Sequence, residues 1–238
     1  MGPLASVTAL VVAAGEGRRF GGPVPKQFLP LGGIPLLAHT LRALAVPGLV
    51  HGIVAAVPAG AEARCWAEVV APLALPVSVT LVAGGPERQA SVLAALGRAD
   101  PAAGLVLVHD GVRPFVPRRD LEGVIRAAAV HGAAILAVPV RDTLKRAAAA
   151  GRPPMVIETL PREHLWAALT PQAFRRDLLA RAHQEAAAAG VTATDDAALV
   201  ERLGHPVAIV PGWPGNIKVT GPEDLAMAEA LLAGGASA

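Results

Sequence analysis

Short apolar runs separated by segments of helical periodicity constrain this chain most. The runs at residues 10–12, 50–57, 77–82, 105–108, 133–138 and 207–210 are dominated by Val, Leu, Ile and Ala. A strand that is apolar on both faces must be covered on both, so these runs belong inside a mostly parallel sheet. Residues 34–45, 61–70, 87–99 and 120–131 lie between them and carry helical patterns.

The pattern changes after residue 138. In residues 139–161, PVRDTLKRAAAAGRPPMVIETLP, two short polar-apolar runs flank Ala-Gly-Arg-Pro-Pro, which reads as a β-hairpin projecting from the sheet. An apolar run at 166–169 precedes expected helices at 171–189 and 195–203, the second with Thr194 as N-cap. The last helix, 222–232, is entered through Thr220 and Pro222 with Glu223 and Asp224 in its first turn, and residues 234–238 are expected to fray. The expected fold class is α/β: one doubly wound, mostly parallel, Rossmann-like sheet with a projecting β-hairpin arm. It forms a single domain over 1–238, the arm at 139–161 serving dimerisation.

Composition narrows the function classes. At 238 residues and 53% hydrophobic content the chain can bury an extensive core, and a net charge of +2 makes no case for nucleic-acid binding. The single cysteine, Cys65, excludes an intramolecular disulfide and fits a reducing, cytoplasmic setting, where it packs inertly. The apolar N-terminus lacks a positive n-region and feeds directly into a glycine loop, so it reads as a first strand rather than a leader. No apolar run has the length of a membrane span.

That first loop is where chemistry begins. Residues 11–28, VVAAGEGRRFGGPVPKQF, end a strand in Ala13, Ala14, Gly15 and Gly17, with Arg18, Arg19 and Lys26 close behind. Open backbone N–H groups beside cations form a cradle for a phosphate chain. No P-loop string is present, and the dinucleotide fingerprint misses its third glycine, Phe20 standing where it would be. Only Lys26, Lys145 and Lys218 among the 21 basic residues are lysines, a bias that points to places where a compact ammonium is wanted.

Three more strings fall at expected strand ends: AGGPERQAS with Gly85, Arg88 and Ser91, HDGVRP with Asp110, Gly111 and Arg113, and GNIKVT, where Lys218 is expected in a strand-like segment. Ligands of open α/β sheets bind beyond the carboxyl ends of the strands, so the coincidence at one edge marks a site. Asp110 can hold a ribose hydroxyl, hold a divalent metal, or pair with Arg113.

The glycine loop resembles that of sugar- and alditol-phosphate nucleotidyltransferases. Across nearly the whole chain, AAGEGRRF, PKQF, GGPERQAS, VHDGVRPF, PVRDTLKR, LWAALTPQ, TDDA and NIKVTGPEDL are similar, in order, to the motifs of the 2-C-methyl-D-erythritol 4-phosphate cytidylyltransferase family. Pro86 stands where that family often has an acidic residue. The resemblance implies a reaction of CTP with 2-C-methyl-D-erythritol 4-phosphate that releases pyrophosphate in the non-mevalonate isoprenoid pathway. It implies a nucleotide site of Ala13, Ala14, Gly15, Gly17, Gly85, Arg88, Ser91, Asp110 and Gly111. Arg19, Lys26 and Lys218 would be catalytic, gripping the phosphates. Arg113, Thr143, Arg162, Thr170 and Thr194 would surround the second substrate. Asp110 would help to hold Mg²⁺, or another divalent cation such as Mn²⁺. The family's homodimer, whose arms clasp the neighbouring subunit's site, would bring Arg162 across.

Three other readings remain open. An NAD(P)-dependent Rossmann-type oxidoreductase would need an acidic residue or arginine after the second strand, where Val57-Pro58-Ala59-Gly60 stands, and a tyrosine, of which there is none. A nucleotide-binding regulator would release no pyrophosphate. A sugar-phosphate nucleotidyltransferase of the same fold would lack the arm and substrate motifs.

Overall fold

The computed structural model describes residues 6–15, 20, 24–148 and 153–236. β1 (Val7–Val12) enters the glycine loop, and a 3-10 turn (Lys26–Phe28) leads to a hairpin of β2 (Pro30–Leu31) and β3 (Ile34–Pro35). Then follow α1 (Leu36–Leu44), β4 (Gly52–Val57), α2 (Glu62–Cys65), β5 (Ser78–Ala83), α3 (Arg88–Leu96), β6 (Leu105–Asp110), α4 (Arg118–His131) and β7 (Ala133–Pro139). The arm comprises β8 (Leu144–Ala147) and β9 (Val156–Leu160). The chain closes with β10 (Trp166–Arg175), α5 (Arg176–Ala188), α6 (Asp196–Arg202), β11 (Ala208–Pro211) and α7 (Pro222–Ala233).

The central sheet has the order β11-β7-β10-β6-β1-β4-β5. β1 runs parallel to both β4 and β6, β4 parallel to β5, and β7 parallel to β11. Val7, Ala9 and Val11 face one core with Leu41 and Leu44 of α1 and Val124 and Ile125 of α4. Leu10 faces the other, with Val92 and Leu96 of α3, Leu178 and Leu179 of α5 and Val200 of α6. Both faces are therefore dry, which is why the strands read as continuous apolar runs. The chain leaves β1 to build β4 on one side and later places β6 on the other, so β1 marks the topological switch point.

Several expectations need correction. The helix expected at 171–189 begins at Arg176, because residues 171–175 complete β10, antiparallel to both β6 and β7 in mid-sheet. Buried Phe174 pairs with Val106 there, and burial in the sheet overrides local helical periodicity. The N-cap of α6 is Asp195, one residue after Thr194: its Oδ1 accepts from the Ala198 N–H at 3.0 Å. The helix expected at 61–70 is α-helical only to Cys65 and continues as a π-turn (Trp66–Val70) and a 3-10 turn (Ala71–Leu73). Of the tail expected to fray, Ala236 donates its N–H to Leu231 O at 3.0 Å and so closes α7; residues 237 and 238 lie outside the described residues.

α7 starts as expected. The Asp224 carboxylate accepts from the N–H groups of Thr220 and Gly221 and from the Thr220 hydroxyl, which fixes the chain just after Lys218. No described helix is long and apolar enough to cross a membrane.

Candidate active site

A cavity of about 840 Å³ opens beyond the carboxyl ends of β1, β4, β5 and β6. β1 delivers Ala13, Ala14 and Gly15 to its wall, with the Ala13 N–H donating to Ala56 O at 2.8 Å. A Cβ on Gly15 would meet nothing within 4 Å, so its backbone faces open space. A Cβ on Gly84 would strike Ala14 Cβ, which makes glycine necessary where the β5 loop passes the β1 loop. Ser91 ties that loop to α3: its Oγ accepts from the Gly85 N–H and donates to Glu87 O, each at 3.1 Å.

Asp110 ends β6 at the cavity wall, surrounded by cations. Its Oδ2 lies 2.9 Å from Lys218 Nζ and 3.4 Å from Arg113 Nε, and its Oδ1 3.4 Å from Arg88 Nε. Burial alone would raise its pKa, but Lys218, Arg88 and Arg113 outweigh it and hold the carboxyl well below the usual range. Arg88 is shared: its Nη1 reaches Asp196 Oδ2 at 2.6 Å, and Asp196 Oδ1 is 2.9 Å from His183 Nε2. Arg113 donates from Nη1 to Asn216 O at 2.7 Å, and burial lowers its pKa despite Asp110.

Beneath Asp110 lies buried His109. Its Nε2 is 3.0 Å from Arg113 O, and a carbonyl can only accept, so Nε2 carries the proton. Nδ1 then accepts from the Thr170 hydroxyl at 2.9 Å, and Thr170 Oγ1 accepts the Asp110 N–H at 3.1 Å. Burial pushes the His109 pKa down to about 4, so the ring is neutral at pH 7 and the chain of donors and acceptors is intact.

The expected residues divide into four groups. Ala13, Ala14, Gly15, Lys26, Gly85, Arg88, Ser91, Asp110 and Lys218 converge on the cavity. Gly111, Arg113 and Thr170 sit immediately behind its wall. A Cβ on Gly111 would come within 2.8 Å of Ala13 Cβ and 3.2 Å of Leu37 Cδ1, so that glycine serves packing of β6 against β1 and α1. Thr143, Arg162 and Thr194 are exposed and do not line the cavity; the Arg162 guanidinium donates to the Arg141 carbonyl beside the arm. Gly17 and Arg19 lie outside the described residues. Lys218 stands in irregular chain rather than the strand-like segment expected. Sequence reasoning missed His109, Gln27, Asp196 and Asn216. All four lie within motif strings, and Asn216, whose Nδ2 donates to Thr170 O at 2.8 Å, precedes Lys218 by two positions.

Among the described residues no group of three or more His, Cys, Asp or Glu side chains could hold a metal ion. The donor set fits a hard cation held mainly by a ligand's phosphates. Two carboxylate residues, Glu87 and Asp110, line the cavity, and Asp110 Oδ1 carries only the long contact to Arg88.

Comparison with known proteins shows what the chain as a whole is similar to. The family model described as IspD, 2-C-methyl-D-erythritol 4-phosphate cytidylyltransferase, matches residues 7–234. The chain is 48% identical to the protein of that name from Pelotomaculum thermopropionicum, over 95% of this chain and 94% of the relative. It is also 48% identical to a bifunctional enzyme IspD/IspF from Desulforudis audaxviator, of which it spans 58%. In three dimensions it is similar to the crystal structure of 2-C-methyl-D-erythritol 4-phosphate cytidylyltransferase from Thermus thermophilus, with TM-score 0.77 and 41% identity over 95% of this chain and 98% of that one. Matched from β1 to the end of α7, the chain belongs to the IspD family.

Proposed function

We propose that this chain joins 2-C-methyl-D-erythritol 4-phosphate to CTP, giving 4-diphosphocytidyl-2-C-methyl-D-erythritol and pyrophosphate in the non-mevalonate isoprenoid pathway. The observation that carries the reading is the cavity at the switch point, with small residues on one wall and Lys26, Lys218 and Arg88 around it, in a chain of this family.

The chemistry asks for little covalent help. The attacking phosphate oxygen is already an anion at neutral pH, so no general base is required. It forms a bond to the α-phosphorus of CTP in line as the bond to the pyrophosphate oxygen breaks. Charge crowds the pentavalent transition state, and the protein's work is to position and to neutralise. Lys218 has three donors and directs one at Asp110, which orients the ammonium and leaves two for phosphate oxygens. Lys26 lines the same cavity, and Arg19 completes the cationic set by resemblance. Asp110 would hold Mg²⁺, or another divalent cation such as Mn²⁺, together with the nucleotide's phosphates, and the ion would supply further neutralisation. Ser91 and Gly85 would frame the base, and Asp110 the ribose.

The arm supports a homodimer, and the single free Cys65 supports a reducing, cytoplasmic setting. Met155, Val156 and Ile157 on and beside β9 are 66%, 61% and 64% exposed, apolar side chains on both faces of a two-stranded ribbon that is poorly stable alone. Covered by a second copy, the arms would carry Thr143 and Arg162 to the neighbour's cavity.

Thermal melting and pyrophosphate release test the reading together. CTP with Mg²⁺ should raise Tm and NADH should not, and pyrophosphate should appear only with CTP and the methylerythritol phosphate both present. Equal stabilisation by NADH, or turnover without CTP, contradicts it.

A further inference from the structure

Gln27 lies in the 3-10 turn between Lys26 and Phe28 and lines the cavity, yet it is only 1% exposed. Neither its Nε2 nor its Oε1 has a hydrogen-bond partner. A buried carboxamide without partners is costly, and natural chains keep such a group only for a reason. The other buried side chains with an unpaired polar atom among the described residues are Arg176, His183 and Asn216. None of these lines the cavity, and each is left with a single unpaired atom. Gln27 alone has both ends of its polar group unpaired, and it does so at the cavity wall.

The turn around it is firmly held. Phe28 is buried in the core with Leu37 and Leu41 of α1, and the Arg64 guanidinium lies 5.4 Å from its ring centre. The N–H groups of Phe28 and Leu29 donate to Pro25 O and Lys26 O at 2.9 and 3.1 Å. The backbone on either side of Gln27 is therefore fixed, while a rotation of its carboxamide towards the cavity breaks no hydrogen bond. An occupant of the cavity is the partner that such a group is built to meet.

We propose that Gln27 is a nucleotide-binding residue whose side-chain N–H donates to a phosphoryl oxygen of the bound triphosphate, beside Lys26. This rests on the cytidylyltransferase reading. Lys26 makes this turn the wall that receives an anion, and an amide N–H is a donor matched to phosphate oxygens without adding charge. The free protein bears the unpaired amide so that the loaded one gains a directed bond.

Gln27→Met tests this, because methionine has similar length and shape without the amide. Relief of the unpaired group should raise the melting temperature of the ligand-free variant by about 2–4 °C. The same variant should bind CTP about tenfold more weakly by calorimetry, the worth of one hydrogen bond to a charged group, while cytidine binding stays level with wild type. A lower or unchanged ligand-free melting temperature would mean that the amide is already satisfied, and would overturn the proposal. So would unchanged CTP affinity. An equal loss for cytidine would assign the amide to the nucleoside and overturn the phosphate contact. Failure of the wild type itself to bind CTP would sink the cytidylyltransferase reading, and this inference with it.

Discussion

Replacing His109 with glutamine should flatten part of the pH dependence of stability. The folded ring has its pKa lowered to about 4, chiefly by burial, whereas an unfolded histidine titrates near 6.5. Between those values the unfolded chain holds a proton that the folded chain does not, so stability rises with pH across that window and falls as pH drops through it. For these two pKa values the loss from high pH to pH 5 is about 2 kcal/mol. The acidic groups of the network act elsewhere. Asp110 and Asp196 are held low, so their contributions are present above the unfolded carboxylate pKa and vanish only below about pH 4. His109→Gln can still donate to Arg113 O and accept from the Thr170 hydroxyl, but it cannot take up a proton. Urea unfolding in metal-free buffer from pH 7.5 to pH 5 gives the comparison. The variant should start about 1–2 kcal/mol below wild type and lose about 2 kcal/mol less by pH 5. Parallel pH curves for the two proteins would refute a neutral buried His109 as the group beneath Asp110.

Further outcomes follow from the cationic wall and the arm. Lys26→Ala should lower kcat by roughly 10²–10³-fold with a much smaller change in CTP affinity, and Lys26→Arg should also be impaired because a planar fork cannot replace a point charge. A loss confined to KM would make Lys26 a ground-state binder. Lys26→Ala and Arg162→Ala proteins should each be nearly inactive alone yet recover about a quarter of wild-type activity after subunit exchange, since about half the dimers are mixed and each mixed dimer has one intact site. No recovery would mean that Arg162 acts within its own subunit.

Much of the sheet was readable because its strands are buried on both faces and punctuated by glycine. β10 was not, since Pro171 and the periodicity of 176–188 imitate a helix start, while the reason for a strand is contact with β6 and β7 from distant sequence. The cavity residues on strand ends were legible through the switch-point rule. What escaped was the support behind them. His109 and Asn216 act through backbone carbonyls and a threonine hydroxyl, contacts that no local pattern encodes. Gly111 showed its glycine but not its purpose, which is the closeness of Ala13. Arg88 looked like a nucleotide contact and is also the bridge between Asp110 and Asp196, carboxylates that stand 86 positions apart in sequence (196 − 110). The arm was legible as a hairpin, β8 with β9, and its exposed apolar side chains are visible only in three dimensions.

Cytidylyl transfer is tested most directly by phosphorus NMR of a single reaction holding the protein, Mg²⁺, CTP and 2-C-methyl-D-erythritol 4-phosphate. The phosphomonoester signal of the substrate should disappear as two coupled diphosphate-diester signals and one equivalent of free pyrophosphate grow in. Intact CTP beside an unchanged phosphomonoester, or pyrophosphate released with no new diphosphate linkage, would contradict it.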